Sequence, residues 1–85
     1  SADDYVTIIS SGDEEKCYHA LARLKNDVIG SNRAKAQAIQ SGVLPHLVGR
    51  LVDPATPVEL QTEVIIILGS LAKGTPENVK VLLES

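Results

Sequence analysis

The segment 57–73, PVELQTEVIIILGSLAK, decides the fold of this chain. Its aliphatic residues recur at steps of three and four, the spacing of one face of an α-helix. These residues are Leu60, Val64, Ile67, Leu68 and Leu71. Thr56 and Glu59 form a capping-box pair at its start. Pro57 suits a first helical position and Gly74 suits a helix end. We therefore expect one long, capped helix.

This central helix is aliphatic on a second side as well. Ile65 and Ile66 point away from the face formed by Val64 and Leu68. We expect several neighbouring helices to cover it. The run 64–68, VIIIL, is also compatible with a buried strand by β-propensity, but a strand explains neither the capping residues nor the length.

Composition limits the kind of protein. The chain has 85 residues, 44% of them apolar and 22% charged, which is typical of one folded domain. A net charge of −3 and the lack of a Lys/Arg run argue against a nucleic-acid or anionic-membrane partner. Cys17 is the only cysteine, so no internal disulfide can form. No apolar run reaches the roughly 18 residues of a membrane span.

The remaining helices are predicted from similar signals. The segment 3–10 reads as the tail of a helix, and a second helix is expected over about 13–28, opened by a Ser11/Glu14 capping box. Ser31 and Asn32 are both candidates to cap a short third helix, and Pro45 opens a fourth. Thr75 and Pro76 start a short last helix after the central one.

The chain also contains an internal repeat. An offset of 44 positions aligns seven pairs: Ala20 with Val64, Leu21 with Ile65, Leu24 with Leu68, Val28 with Ala72, Gly30 with Gly74, Ile39 with Leu83, and Ser41 with Ser85. A period of about 40–47 residues in an all-helical chain is typical of solenoids, whose units bury their apolar faces by stacking.

Four stretches of the sequence resemble known armadillo-repeat proteins. An armadillo repeat consists of a short helix, a helix opened by an aliphatic residue and proline, and a long helix. This pattern resembles two segments of the chain, SGVLPHLVGRLVD (41–53) and VELQTEVIIILGSLAKGTPENVKVLLES (58–85). KNDVIGSNRAKAQAI (25–39) and LGSLAKGTPENVKVLL (68–83) are similar to the N-terminal region of the armadillo subunits of GID/CTLH E3 ubiquitin ligases. The resemblance covers about 16–85.

The resemblance implies an all-α, right-handed superhelical armadillo solenoid of about two repeats, a fragment of a longer one. Its parts would be a partial helix in 1–11, a first unit over about 13–55 and an incomplete second unit over about 56–85. It also implies a non-catalytic scaffold without cofactors that helps to link the core of a ubiquitin ligase to the substrate receptor, in cytoplasm and nucleus.

Six residues are candidates for binding a protein partner. Residues four apart share a helix face, so the sequence forms two rows, Tyr18–Ala22–Asn26 and Thr62–Ile66–Ser70. If the units stack, both rows line the inner groove, the usual site for an extended peptide. The alternative is a merely solvated concave face, with an intramolecular hydrogen bond from Asn26.

The rows differ from those of importin-like and catenin-like armadillo proteins. Those proteins place a Trp and an Asn one turn apart on the long helix. The matching residues are Ala22 and Asn26, then Ile66 and Ser70, so the Trp is absent twice and the Asn once. This argues against a nuclear-import receptor for basic peptides. Another armadillo adaptor, in adhesion or transport, stays an alternative, as does a small enzyme.

Other chemistry is weakly indicated. Cys17, His19 and His46 do not match the spacing of a structural zinc site, so we expect a buried cysteine and surface histidines and no metal. No Gly-rich phosphate loop is present. The last helix carries Val79, Leu82 and Leu83 with no following unit to cover them, so we expect the fragment to self-associate through this end or to exchange a helix with a second copy.

Overall fold

A computed structural model describes the backbone of residues 2–74 and 76–84, and their side chains except at 2–4, 78, 81 and 82. Every element in these ranges is a helix: α1 Ala2–Ile9, α2 Glu14–Val28, α3 Asn32–Gln40, α4 Val43–Val52, α5 Val58–Ala72 and α6 Pro76–Glu84. The predicted all-α class is confirmed. The run 64–68 is helical, so the strand alternative is wrong.

The starts of α2 and α3 show where capping was predicted correctly. The Ser31 hydroxyl accepts from the backbone N–H of Ala34 at 3.1 Å, which confirms Ser31 as the cap of α3. The predicted Ser11/Glu14 capping box is wrong, because the cap of α2 is Asp13, whose Oδ1 accepts from the Lys16 N–H at 3.1 Å. The Ser11 hydroxyl instead donates to the Ile8 carbonyl at 2.8 Å.

The predicted starts of α4 and α5 need correction too. Pro57 is the cap residue of α5, so Thr56 lies one residue too early for a capping box, and its buried hydroxyl has no hydrogen-bond partner among the described residues. Pro45 is the third residue of α4 rather than its first. A proline is tolerated there because N–H groups in the first turn have no intrahelical acceptor.

Equivalent helices stack in three columns. The long helices α2 and α5 pack against each other, α1 packs on α4, and α3 packs on α6. The repeat found in the sequence is present in the helix bounds. Adding 44 to the bounds of α2 gives those of α5, and adding 44 to those of α3 gives those of α6. The limits of the two units, about 13–55 and 56–85, stay a prediction.

The core lies between the columns. It includes Leu21 and Val28 of α2, Leu47 of α4, and Val64 and Ile67 of α5. Burial of these aliphatic side chains is the main source of stability in such a stack.

Two expectations about the central helix were too strong. Leu68 is half-buried at the edge of the core, whereas its predicted companions Leu60, Val64, Ile67 and Leu71 are buried. Ile65 and Ile66 remain 56% and 40% exposed, so the expectation that neighbours cover them is wrong for the described structure. At the end of the chain, Leu83 is exposed and Val79 is half-buried, while Thr75 and the Leu82 side chain lie outside the described residues.

Candidate functional site

The six predicted binding residues lie on the two packed long helices. Each row lies on one helix, and no member of either row is buried. Tyr18 and Ile66 are among the exposed large apolar side chains, and Ala22 and Ser70 are half-buried. Packing of α2 on α5 therefore places two accessible rows on neighbouring helices. Whether a partner contacts them stays a prediction.

The polar groups of the rows differ in what they can offer. The Asn26 side-chain amide makes no hydrogen bond with the residues that the structure describes, so its donor and acceptor are both available. The Thr62 hydroxyl donates to the Val58 carbonyl at 2.8 Å and keeps only acceptor capacity. Tyr18 meets His19 edge to face, with ring centroids 5.7 Å apart. Asn26 thus offers both a donor and an acceptor to a peptide backbone.

An ion pair joins the two long helices beside the rows. The Lys25 Nζ lies 2.8 Å from Glu63 Oε2 and 3.0 Å from Oε1. The side chains are 24% and 7% exposed, so the pair is largely excluded from solvent. Lys25 precedes Asn26, and Glu63 follows Thr62. The pair therefore fixes the two rows relative to each other.

Sequence reasoning missed this ion pair. The signal was present in α5, where Glu63 falls within the stripe that otherwise holds Leu60, Val64, Ile67 and Leu71. A carboxylate on a buried face needs a cationic partner. The partner, 38 residues earlier in the chain, could not be chosen without the fold.

A surface cavity of about 810 Å³ lies elsewhere, between α1, α2 and α3. None of the six predicted residues lines it. At its edge the Tyr5 hydroxyl donates to Asp27 Oδ2 at 2.9 Å. Burial raises the pKa of Tyr5 to about 12, and the Asp27 hydrogen bond and negative charge add to the shift, partly offset by Arg23. The phenol therefore keeps its proton at pH values above 10, where an ordinary tyrosine loses it.

Cys17 is fully buried, as predicted, and His19 is exposed, while His46 is half-buried and lies 2.9 Å from the Ser10 hydroxyl through Nδ1. Burial raises the pKa of the Cys17 thiol, although the nearby Arg50 guanidinium opposes this shift. Arg50 itself forms an ion pair with Glu14. A buried, protonated thiol is a poor nucleophile.

The described part of the chain offers no site for a metal ion and no membrane-spanning helix. No three His, Cys, Asp or Glu side chains within them lie close enough to hold a metal ion. No helix in the same ranges is both long and apolar enough to cross a bilayer.

The curated proteins that this chain resembles carry the same name in several vertebrates. No family model matches the chain. Armadillo repeat-containing protein 8 from Pongo abelii and from Mus musculus are each 40% identical to it over 84 residues, 99% of this chain. The Danio rerio protein of the same name is 36% identical over 80 residues. The chain spans 12% of the length of these relatives. Over nearly its whole length, the chain is therefore similar to one segment of armadillo repeat-containing protein 8, and its stacked helices fit an armadillo solenoid.

Proposed function

We propose that this chain is part of a non-catalytic scaffold of a GID/CTLH-type ubiquitin ligase, in which it helps to link the ligase core to the substrate receptor. The observation that carries the proposal is the 40% identity to armadillo repeat-containing protein 8 over 99% of the chain. The assignment of such proteins to this ligase comes from the family resemblance. A subunit of this kind would act in cytoplasm and nucleus.

The surface of the stack supports a binding role. The two rows are accessible, and the backbone beneath them is held by the α2–α5 core and by the Lys25–Glu63 ion pair. A prepositioned surface loses little conformational entropy when a partner binds. These features support the surface that carries the two rows as a preformed platform for another protein.

The test uses two neighbouring isoleucines of α5. Ile66 belongs to the second row, and Ile65 lies about 100° around the helix from it. The intact chain, Ile66→Glu and Ile65→Glu are immobilised and exposed to purified RING-core subunits of the ligase. Both sites are exposed, so circular dichroism should show that both variants remain folded.

We expect the intact chain and Ile65→Glu to retain the core subunits and Ile66→Glu to lose them. Loss of binding in both variants would mean that the contact is not confined to the row that contains Ile66. Failure of the folded, intact chain to retain any core subunit would contradict the proposal. Fractionation of cells that express the tagged protein checks its presence in cytoplasm and nucleus.

A second candidate is an armadillo adaptor that binds an extended peptide in its groove. It is favoured by the Asn26 side-chain amide, which has no hydrogen-bond partner among the described residues. Asn26→Ala should then weaken peptide binding several-fold, since one hydrogen bond contributes about 0.5–1.5 kcal/mol. A peptide library screened against the intact chain measures this. Ser70, its counterpart 44 positions later, provides the matched variant Ser70→Ala, for which we expect a smaller loss.

A further inference from the structure

One charged side chain is buried in the otherwise apolar contact between the two long helices, both of which the structure describes in full. Their buried residues are Cys17, Ala20, Leu21, Leu24 and Val28 of α2 and Leu60, Glu63, Val64, Ile67 and Leu71 of α5. Among these residues only Glu63 is charged. Its carboxylate lies 2.8 Å from Lys25 Nζ, and its side chain is 7% exposed. The contact therefore contains one polar pair in an apolar surface.

The aliphatic residues of α5 do not by themselves fix its position along α2. They recur at steps of three and four, so a shift of α5 by four positions, about one helical turn, places one aliphatic residue where another stood. The chain contains no Phe, Trp or Met to give the core a distinctive shape, and exchanges among aliphatic residues of similar volume cost little. The shift puts Val64 in the place of Leu60, Leu68 in that of Val64, and Leu71 in that of Ile67.

The ion pair distinguishes the registers that the aliphatic residues leave equivalent. In the shift just described, Ile67 takes the place of Glu63, and Lys25, 24% exposed, loses its partner. In the opposite shift, the Glu63 carboxylate enters the fully buried place of Ile67. Burying a charge without its partner is strongly unfavourable. Only the observed register satisfies both charges.

The connection between α2 and α3 is long enough for such a shift. It consists of residues 29–31 and is closed by a hydrogen bond from the Ser31 N–H to the Val28 carbonyl at 3.2 Å. Three extended residues span about 10 Å, more than the rise of about 5.4 Å in one helical turn. Opening this turn would let α3, α4 and α5 move together along α2 without disrupting a helix.

We infer that Lys25 and Glu63 select one register of α5 along α2, a choice that the aliphatic core leaves open. A buried polar group can fix register while it contributes little net stability, as polar residues do in the seams of coiled coils. Because Lys25 precedes Asn26 and Glu63 follows Thr62, the register decides which members of the two rows lie side by side. Lys25 and Glu63 are thus positioning residues for the inner rows, whichever partner those rows bind.

The first test is amide NMR of three proteins: the native chain, Lys25→Met/Glu63→Leu, and the swapped pair Lys25→Glu/Glu63→Lys. We expect the aliphatic double variant to stay folded but to show doubled amide signals in α5, or relaxation dispersion from a second state that holds about 1–10% of the molecules. The native chain and the swapped pair should each show one set of sharp signals, because both keep a carboxylate beside an ammonium group.

The second test measures the register directly with spin labels on Lys16→Cys and Ala72→Cys, which are exposed positions near opposite ends of the two helices. The native Cys17 is buried and does not compete for the label. A shift of one turn changes the separation of the labels by up to about 5.4 Å. We expect one distance in the native background and a second, shifted distance when Lys25→Met/Glu63→Leu is added.

A single set of signals and a single distance in the aliphatic double variant would overturn the inference. Unfolding of that variant would also overturn it, because the aliphatic core alone would then not hold the helices together. Exchange in the swapped pair as extensive as in the aliphatic variant would show that the charges do not select the register.

Discussion

The long helices α2 and α5 occupy equivalent positions in the repeat. The face that each turns away from the other, here called its outer face, differs in charge and polarity between them. The outer face of α2 is charged, with Lys16, Arg23 and Asp27 in solvent. That of α5 is aliphatic, with Val58 and Ile65 exposed. The two helices therefore share their length and their position in the repeat, whereas the residues on these two faces differ in charge and polarity.

The largest expected effect tests this comparison at equivalent positions. Leu21→Ala should lower the free energy of unfolding by about 2–5 kcal/mol, because Leu21 is fully buried between the units. Ile65→Ala, 44 positions later, should cost less than about 0.5 kcal/mol in a monomeric sample. Urea unfolding followed by circular dichroism measures both values. If Leu21→Ala and Ile65→Ala lowered the free energy of unfolding by similar amounts, Ile65 would be as buried in solution as Leu21.

A smaller effect is expected at the ion pair that joins the units. The 44-residue offset pairs Lys25 with Gly69 and Glu63 with His19, so the ion pair is not repeated at the equivalent positions of the described helices. Lys25→Met should cost about 1–3 kcal/mol, because it leaves the 7% exposed Glu63 carboxylate without its partner. Adding Glu63→Leu should recover much of the loss. Additive losses in urea unfolding would mean that the two side chains are not coupled.

The starts of the two helices offer a further contrast. Asp13→Ala should cost about 1 kcal/mol, because it removes the oxygen that accepts from Lys16 N–H. Thr56→Val should be neutral or stabilise by up to about 1 kcal/mol, because the buried Thr56 hydroxyl has no partner among the described residues. Thermal unfolding compares the two variants. Destabilisation by Thr56→Val would mean that the hydroxyl is hydrogen-bonded in solution.

A loss no larger than that at Asp13 is expected at the contact between α1 and α2. Tyr5→Phe removes the hydrogen bond to Asp27 and should cost about 0.5–1 kcal/mol. The pKa of Tyr5 is about 12 in the folded state against 10.0 ordinarily. Between these values the unfolded chain has lost the proton that the folded chain keeps, so stability falls as the pH rises.

The wild type should therefore lose more stability than Tyr5→Phe between pH 10 and 12. Unfolding curves over this range measure the difference, because other titrating groups are common to both proteins. Identical pH profiles would contradict the raised pKa.

Local patterns predicted most of the fold. The spacing of aliphatic residues identified α2 and α5, because the residues that a helix buries on one face recur every three to four positions in the sequence. The 44-residue offset predicted the stacking for the same reason. Capping was less predictable, since Ser11 has a competing acceptor in the Ile8 carbonyl, and Asp13 is closer to the helix start. A capping motif states only that the hydrogen bond is possible.

The candidate site was predicted in part. Helical spacing assigned Tyr18, Ala22 and Asn26 to one row, which depends on residues close in sequence. The exposure of Ile65 and the pairing of Lys25 with Glu63 depend on which faces the neighbouring helices reach. Such long-range partners are decided by tertiary packing, and the sequence pattern of a single helix does not contain them.

The repeat of 44 residues in the helix bounds has an evolutionary consequence. One residue inserted within a helix rotates everything after it by about 100°, which would turn a buried stripe towards solvent. The loop 53–57 can absorb a change of length without altering either neighbouring helix. Insertions and deletions among natural variants should therefore collect in that loop and be rare in α2 and α5. A duplication of 44 codons, by contrast, would lengthen the protein while keeping every helix in phase.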